Sequence, residues 1–140
     1  MKLFLAAALF LAGSTAGYGQ CETKTVLSAS KTDHLAADST IESSADGKVT
    51  IEFTKTSFVV HPPDEGTLTG RVDSFSCNWP VPYKVGKTWV KALLTDSQGQ
   101  AEHMIITIEG KAGTITLYAR SDDHPEQIIR LVADTFEEKR

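Results

Sequence analysis

Hydrophobic and polar residues alternate with a period of two along most of the chain. Val49, Ile51 and Phe53 share one face of Lys48–Thr54, with Thr50, Glu52 and Thr54 on the other, which predicts a half-buried strand. Asp46-Gly47 just before it is a hairpin signal. Ser57–His61 is a second strand, stopped by Pro62-Pro63, which cannot continue a ladder. Thr67–Cys77 follows the Asp64-Glu65-Gly66 turn, and Gly70 inside it suggests a bulge or bend. Lys87–Thr95 is a strand in which Trp89 is expected in the core. Beyond Asp96-Ser97-Gln98-Gly99, Ala101–Glu109 places Met104, Ile106 and Ile108 on one face. Thr114–Arg120 does the same with Ile115, Leu117 and Ala119. Gln127–Phe136 closes the series, and its β-branched run at 128–132 favours a strand over a helix. Thr23–Ser30 predicts a first strand and Asp38–Ser43 a weaker second one.

Eight or nine short strands joined by hairpin-length turns define an all-β fold, an antiparallel meander of about eight strands. Such a chain buries one face of every strand by closing into an up-and-down barrel, or by folding over as a clam-shell or sandwich. Closure also removes the exposed edges on which strands aggregate.

The first twenty residues depart from this pattern. Lys2, an apolar run from Leu3 to Ala12 and a small-residue exit are the parts of a secretory signal peptide, expected over residues 1–19 with cleavage near 19/20. The run is too short to span a bilayer, which takes roughly twenty apolar residues. The expected product is a single β domain over residues 20–140, secreted or periplasmic. In an oxidising compartment the two cysteines, Cys21 and Cys77, read most simply as one disulfide. Cys21 also stands where a bacterial lipoprotein would carry its lipid, but Gln20 is a poor fit to the small residue that normally precedes such a cysteine.

Charge narrows the partners. Lys and Arg number 14 against 18 Asp and Glu, a net of −4. No basic patch exists for nucleic acid or an anionic membrane surface. His34, His61, His103 and His124 form no HxH, HxxxH or HExxH spacing, so they read as surface histidines and not as a metal site. No serine sits in a GxSxG elbow, and Asp122-Asp123 reads as turn chemistry. The chain therefore presents no catalytic constellation, no metal site and no cofactor motif, and a non-enzymatic role is expected. The most unusual segment is Cys77-Asn78-Trp79-Pro80-Val81-Pro82-Tyr83. Its prolines bar it from the centre of a sheet. Trp79 and Tyr83 read either as aromatics packed beside a disulfide, the favoured reading, or as a contact loop at a barrel mouth.

The strand Lys48–Phe53, the entry Gly86-Lys87-Thr88, the run from Met104 to Lys111 and its successor from Gly113 to Leu117 together resemble the small secreted lipocalin-like β proteins of bacteria. The resemblance spans most of the mature chain. Lipocalins proper carry Gly-x-Trp near their first strand, whereas Thr23–Ser30 has neither residue, and no functional residue is carried over. The resemblance implies a meander barrel that binds a small apolar molecule. Ile106, Ile108, Ile115 and Leu117 are the expected lining, with Trp79 and Tyr83 as candidate loop contacts. The alternative is a protein-binding accessory or inhibitor module acting through Pro62–Gly66 and Trp79–Tyr83. An internal cavity favours the first reading; a solid core with exposed loop aromatics favours the second.

Overall fold

The computed structural model describes residues 19–139; the expected leader lies outside the described residues except for Gly19. A single helical turn, α1 (Gly19–Glu22), precedes nine strands: β1 (Thr25–Leu35), β2 (Ile41–Phe53), β3 (Ser57–His61), β4 (Leu68–Val81), β5 (Val85–Thr95), β6 (Ala101–Lys111), β7 (Thr114–Ser121), β8 (Ile128–Val132) and β9 (Thr135–Glu138). Each strand from β2 to β7 pairs antiparallel with its successor. β1 closes the ring by pairing with β2 on one side and with β8 and β9 on the other. The expected meander is thus a closed antiparallel barrel of eight strands, with β9 as an extra one.

The last strand, expected unbroken over Gln127–Phe136, splits at Ala133–Asp134. There the backbone turns its donors to two different partners, Ala133 N–H to Ile115 and Asp134 N–H to Ser28. β8 then seals the upper part of β1 and β9 the lower part.

Two turn signals resolve differently from their sequence reading. Asp46-Gly47 makes no hairpin. The chain reverses at Ala36–Thr40 instead, where Asp38 accepts hydrogen bonds from the Thr40 backbone and hydroxyl. The two expected strands around it are one, β2. Gly47, at φ 146°, lies within it where the β1–β2 register slips between Ala29/Val49 and Lys31/Asp46. An Asp-Gly pair supplies positive φ for a bulge as readily as for a turn. Gly70, in turn, is regularly paired with Phe58 and Leu94, and the irregularity falls at Asp73. Gly70 lets Leu94 pack close: a Cβ there would stand 2.4 Å from Leu94 Cδ2 and push that side chain aside.

The inward faces follow the alternation. Val49, Ile51 and Phe53, Ile106 and Ile108, and Ile115 and Leu117 are all buried in one core. Trp89 departs from its expected place. Thr88, Val90, Ala92 and Leu94 are the buried positions of β5, which puts Trp89 on the other face, where it is half-buried. Its cross-strand neighbour on β6 is Thr107, followed by Tyr118 on β7.

The closing seam is fastened by a polar cluster on β1. Asp33, whose side chain is 9 % exposed, accepts hydrogen bonds from Ser44 Oγ on β2 (2.7 Å) and from Arg130 Nη2 and Nε on β8 (2.8 and 3.2 Å). The Ser44 hydrogen bond, then that of Arg130, holds the Asp33 carboxyl below its ordinary 3.8, against the opposing effect of burial. A carboxyl lowered by folding contributes stability above its unfolded value, and that contribution is lost as the pH falls through the folded one. Acid unfolding of the native chain should therefore steepen below about pH 4. Asp33→Asn should be less stable at pH 7 with a flatter acid limb, as measured by urea denaturation across pH.

Candidate ligand cavity

The two ends of the barrel are built differently. At one end the strands are joined by two- or three-residue turns, at 54–56, 82–84 and 112–113. The last of these has positive φ at both Ala112 (52°) and Gly113 (87°), the type I′ geometry that suits a tight hairpin. At the other end the connections are longer, at 36–40, 62–67, 96–100 and 122–127.

The short-turn end is a solid floor. Trp79, 3 % exposed, donates from Nε1 to Thr88 Oγ1 at 2.7 Å, and its ring lies 5.2 Å from that of Phe136. Two glycines make room for the indole. A Cβ on Gly86 or on Gly110 would come within 2.7 Å of its ring carbons. The Tyr83 ring meets Phe136 edge-on at 5.3 Å, and its hydroxyl is buried without a hydrogen-bond partner. α1 is tied across this end three times, by the Cys21–Cys77 disulfide, by Gln20 Oε1, which accepts from the Tyr83 backbone N–H at 2.8 Å, and by the Glu22 carboxylate, 2.6 Å from Lys55 Nζ. Asn78–Val81, barred by its prolines from a central strand, is instead the end of β4. β3 begins opposite Arg71 and does not reach this stretch, and Pro80 falls where the β4–β5 register shifts between Asn78 and Val81, so it interrupts no regular pair.

The long-loop end is open. A cavity of about 370 Å³ enters the barrel there, walled by Phe58, Leu94, Ile106, Leu117 and Leu131 and rimmed by Pro62 and Pro63 of the β3–β4 loop. A shallower cleft of about 540 Å³ adjoins it and shares His34, Met104 and Ile129. A volume near 370 Å³ with mostly apolar walls and a few polar groups at the entrance is in the usual range for small-molecule sites.

The structure thus divides the sequence candidates. Ile106 and Leu117 wall the cavity; Ile108 and Ile115, expected beside them, lie nearer the floor and do not line it. Trp79 and Tyr83 are brought together at the closed end, away from the mouth. Phe58, Leu94 and Leu131 complete the wall, although no sequence signal marks them as lining. Each stands on an apolar alternation, but alternation reports a face and not a height along the barrel. The disulfide engages both sulfurs, which leaves Cys21 no thiol for an acyl chain in this state. Among the described residues no three His, Cys, Asp or Glu side chains gather as metal ligands would, and no helix is long and apolar enough to cross a membrane.

Floor, closed wall and apolar cavity define the class of the molecule: an antiparallel meander barrel with one open end. The chain matches no family model, no curated protein and no solved structure.

Proposed function

We propose that the protein is an exported, lipocalin-like carrier or scavenger that holds a small apolar molecule in the open half of its barrel, without catalysis. The observation that carries this reading is the contrast between the two halves of one interior. The lower half is filled by Trp79, Phe136 and their neighbours, while about 370 Å³ bounded by hydrocarbon is left above them. Close packing is the rule in protein interiors, and a space this large beside a well-filled region is a feature of binding sites. The disulfide accords with life in an oxidising compartment. The competing reading, a protein-binding module acting through its loops, loses much of its support because Trp79 is internal and Tyr83 half-buried.

A neutral environment-sensitive dye such as Nile red tests the proposal. The native protein should bind it with enhanced, blue-shifted emission. Ala119→Phe, which adds a ring at a cavity-lining position cross-strand from Ile106 and Ile129, should weaken binding by about tenfold or more. Its thermal midpoint should stay within a few degrees, because the ring fills space and does not displace packed atoms. Unchanged dye binding by that variant would sink the proposal.

A further inference from the structure

The loops of the open end carry charge of one sign. The four loops at the open end carry Asp38, Asp64, Glu65, Asp96, Asp122, Asp123 and Glu126, and no lysine or arginine at all. The closed end is mixed: Lys55 and Lys84 in its turns and Lys24, Lys111 and Lys139 beside them are accompanied by Glu22, Glu137 and Glu138.

The same bias reaches the cavity. Asp46, Asp64 and Glu65 line it, Glu42 and Glu102 line the adjoining cleft, and neither is lined by a lysine or an arginine. Some mouth carboxylates are already engaged. Asp122 faces Lys91 at 3.5 Å, Asp38 serves its own turn, and Asp96 Oδ1 accepts from the backbones of Gln98 and Gln100. No side-chain hydrogen bond or ion pair is found for the five that line the two spaces; of the imidazoles at this end, His34 lines both spaces, and His61, His103 and His124 stand at neighbouring strand ends and in the 122–127 loop.

We infer that the ligand is a cationic amphiphile: an alkyl or aromatic body seated among Phe58, Leu94, Ile106 and Leu117, with an amine or quaternary ammonium group held at the mouth by Asp46, Asp64 and Glu65. This rests on the cavity reading above and adds the ligand's charge to it. An apolar pocket alone accepts fatty acids, alcohols and amines of one length about equally, because the hydrophobic contribution depends on buried area and not on the head. The head selects. At a mouth lined by one sign of charge over low-dielectric walls, an ammonium is attracted and a carboxylate repelled by several groups at once. The carboxylates sit at the solvent edge, so the ammonium keeps part of its hydration and escapes the large cost of burying an ion. A fatty-acid carrier would need a lysine or arginine there to receive the head, and none lines either space.

Three ten-carbon probes below their micelle concentrations decide the matter: decyltrimethylammonium, decanol and decanoate, each displacing Nile red from the full disulfide-bonded protein in 20 mM salt at pH 8. The expected order is decyltrimethylammonium, then decanol, then decanoate. Cation and anion should differ by at least about tenfold, and the ratio should shrink in 0.5 M salt as screening shortens to a few ångströms. The triple variant D46N/D64N/E65Q, altered only at exposed positions, should bring cation and anion together while decanol binding is kept. If decanol binds but decanoate binds as tightly as the cation, the inference is overturned and the apolar-cavity reading stands. If none of the three displaces the dye, the cavity reading fails and the inference falls with it.

Discussion

Cys77→Ser is expected to lower the thermal unfolding midpoint by about 10–20 °C. Adding reductant to the native protein should have a similar effect. The bridge joins residues 56 positions apart, and closing a loop of that length in the unfolded chain is worth about 4 kcal/mol by the chain-entropy argument. Small domains have total stabilities of about 5–15 kcal/mol, so this is a large fraction. The folded state adds a local reason. Without the bridge α1 keeps the Gln20–Tyr83 hydrogen bond and the exposed Glu22–Lys55 ion pair, with few packing contacts with the floor, so the N-terminal turn should loosen as well. Differential scanning calorimetry with and without reductant reads the first effect. Hydrogen exchange at the Tyr83 amide, which should lose protection, reads the second. A midpoint shift below about 3 °C would show that the bridge contributes little beyond what the barrel already holds.

Trp79→Ala should cost about 3–5 kcal/mol, measured as a lower urea midpoint at unchanged slope. The indole is buried against Phe136 and seated over Gly86 and Gly110, two positions that accept no larger residue while it is present. Removing it leaves a hole in the floor and takes the Nε1 donor from the buried Thr88 hydroxyl. Trp79→Phe separates these contributions. It keeps much of the ring but not the donor, and should cost about 1–3 kcal/mol. Trp89, half-buried on the opposite face of its sheet, remains as the fluorophore that follows unfolding in both variants. Because the floor is distant from the mouth, Trp79→Phe should leave Nile red binding almost unchanged. Loss of binding in that variant would mean that floor and cavity are one site.

The strands and their inward faces were legible because each needs only local information. Val49-x-Ile51-x-Phe53, Met104-x-Ile106-x-Ile108 and Ile115-x-Leu117 each declare a buried face by alternation, and closing the sheet follows from having no other way to bury them all. The candidate site was half legible. Ile106 and Ile108 share one strand face, yet one walls the cavity and the other packs below it, since the period of two carries no coordinate along the axis. That coordinate depends on which end is plugged, a long-range matter settled by Trp79, Phe136 and the disulfide between residues remote in sequence. Trp89 misled for a related reason: Trp89-Val90 and Leu93-Leu94 are adjacent apolar pairs, and only register decides which member faces inward. Gly47 misled because the demand for positive φ is common to turns and bulges. The acidic mouth was written openly in the sequence, as four alternate loops rich in Asp and Glu. It became visible only once strand direction showed that those loops share one end.

The central claim, that the upper half of this barrel receives an apolar ligand, is tested most directly by methyl-resolved NMR during titration with decanol. The account predicts saturable shifts at Leu94, Leu117, Ile129 and Leu131, with little change at Ile41 and Val85 on the exposed surface or at Ile108 and Ile115 nearer the floor. Shifts confined to the exposed methyls, or none at all, would contradict it.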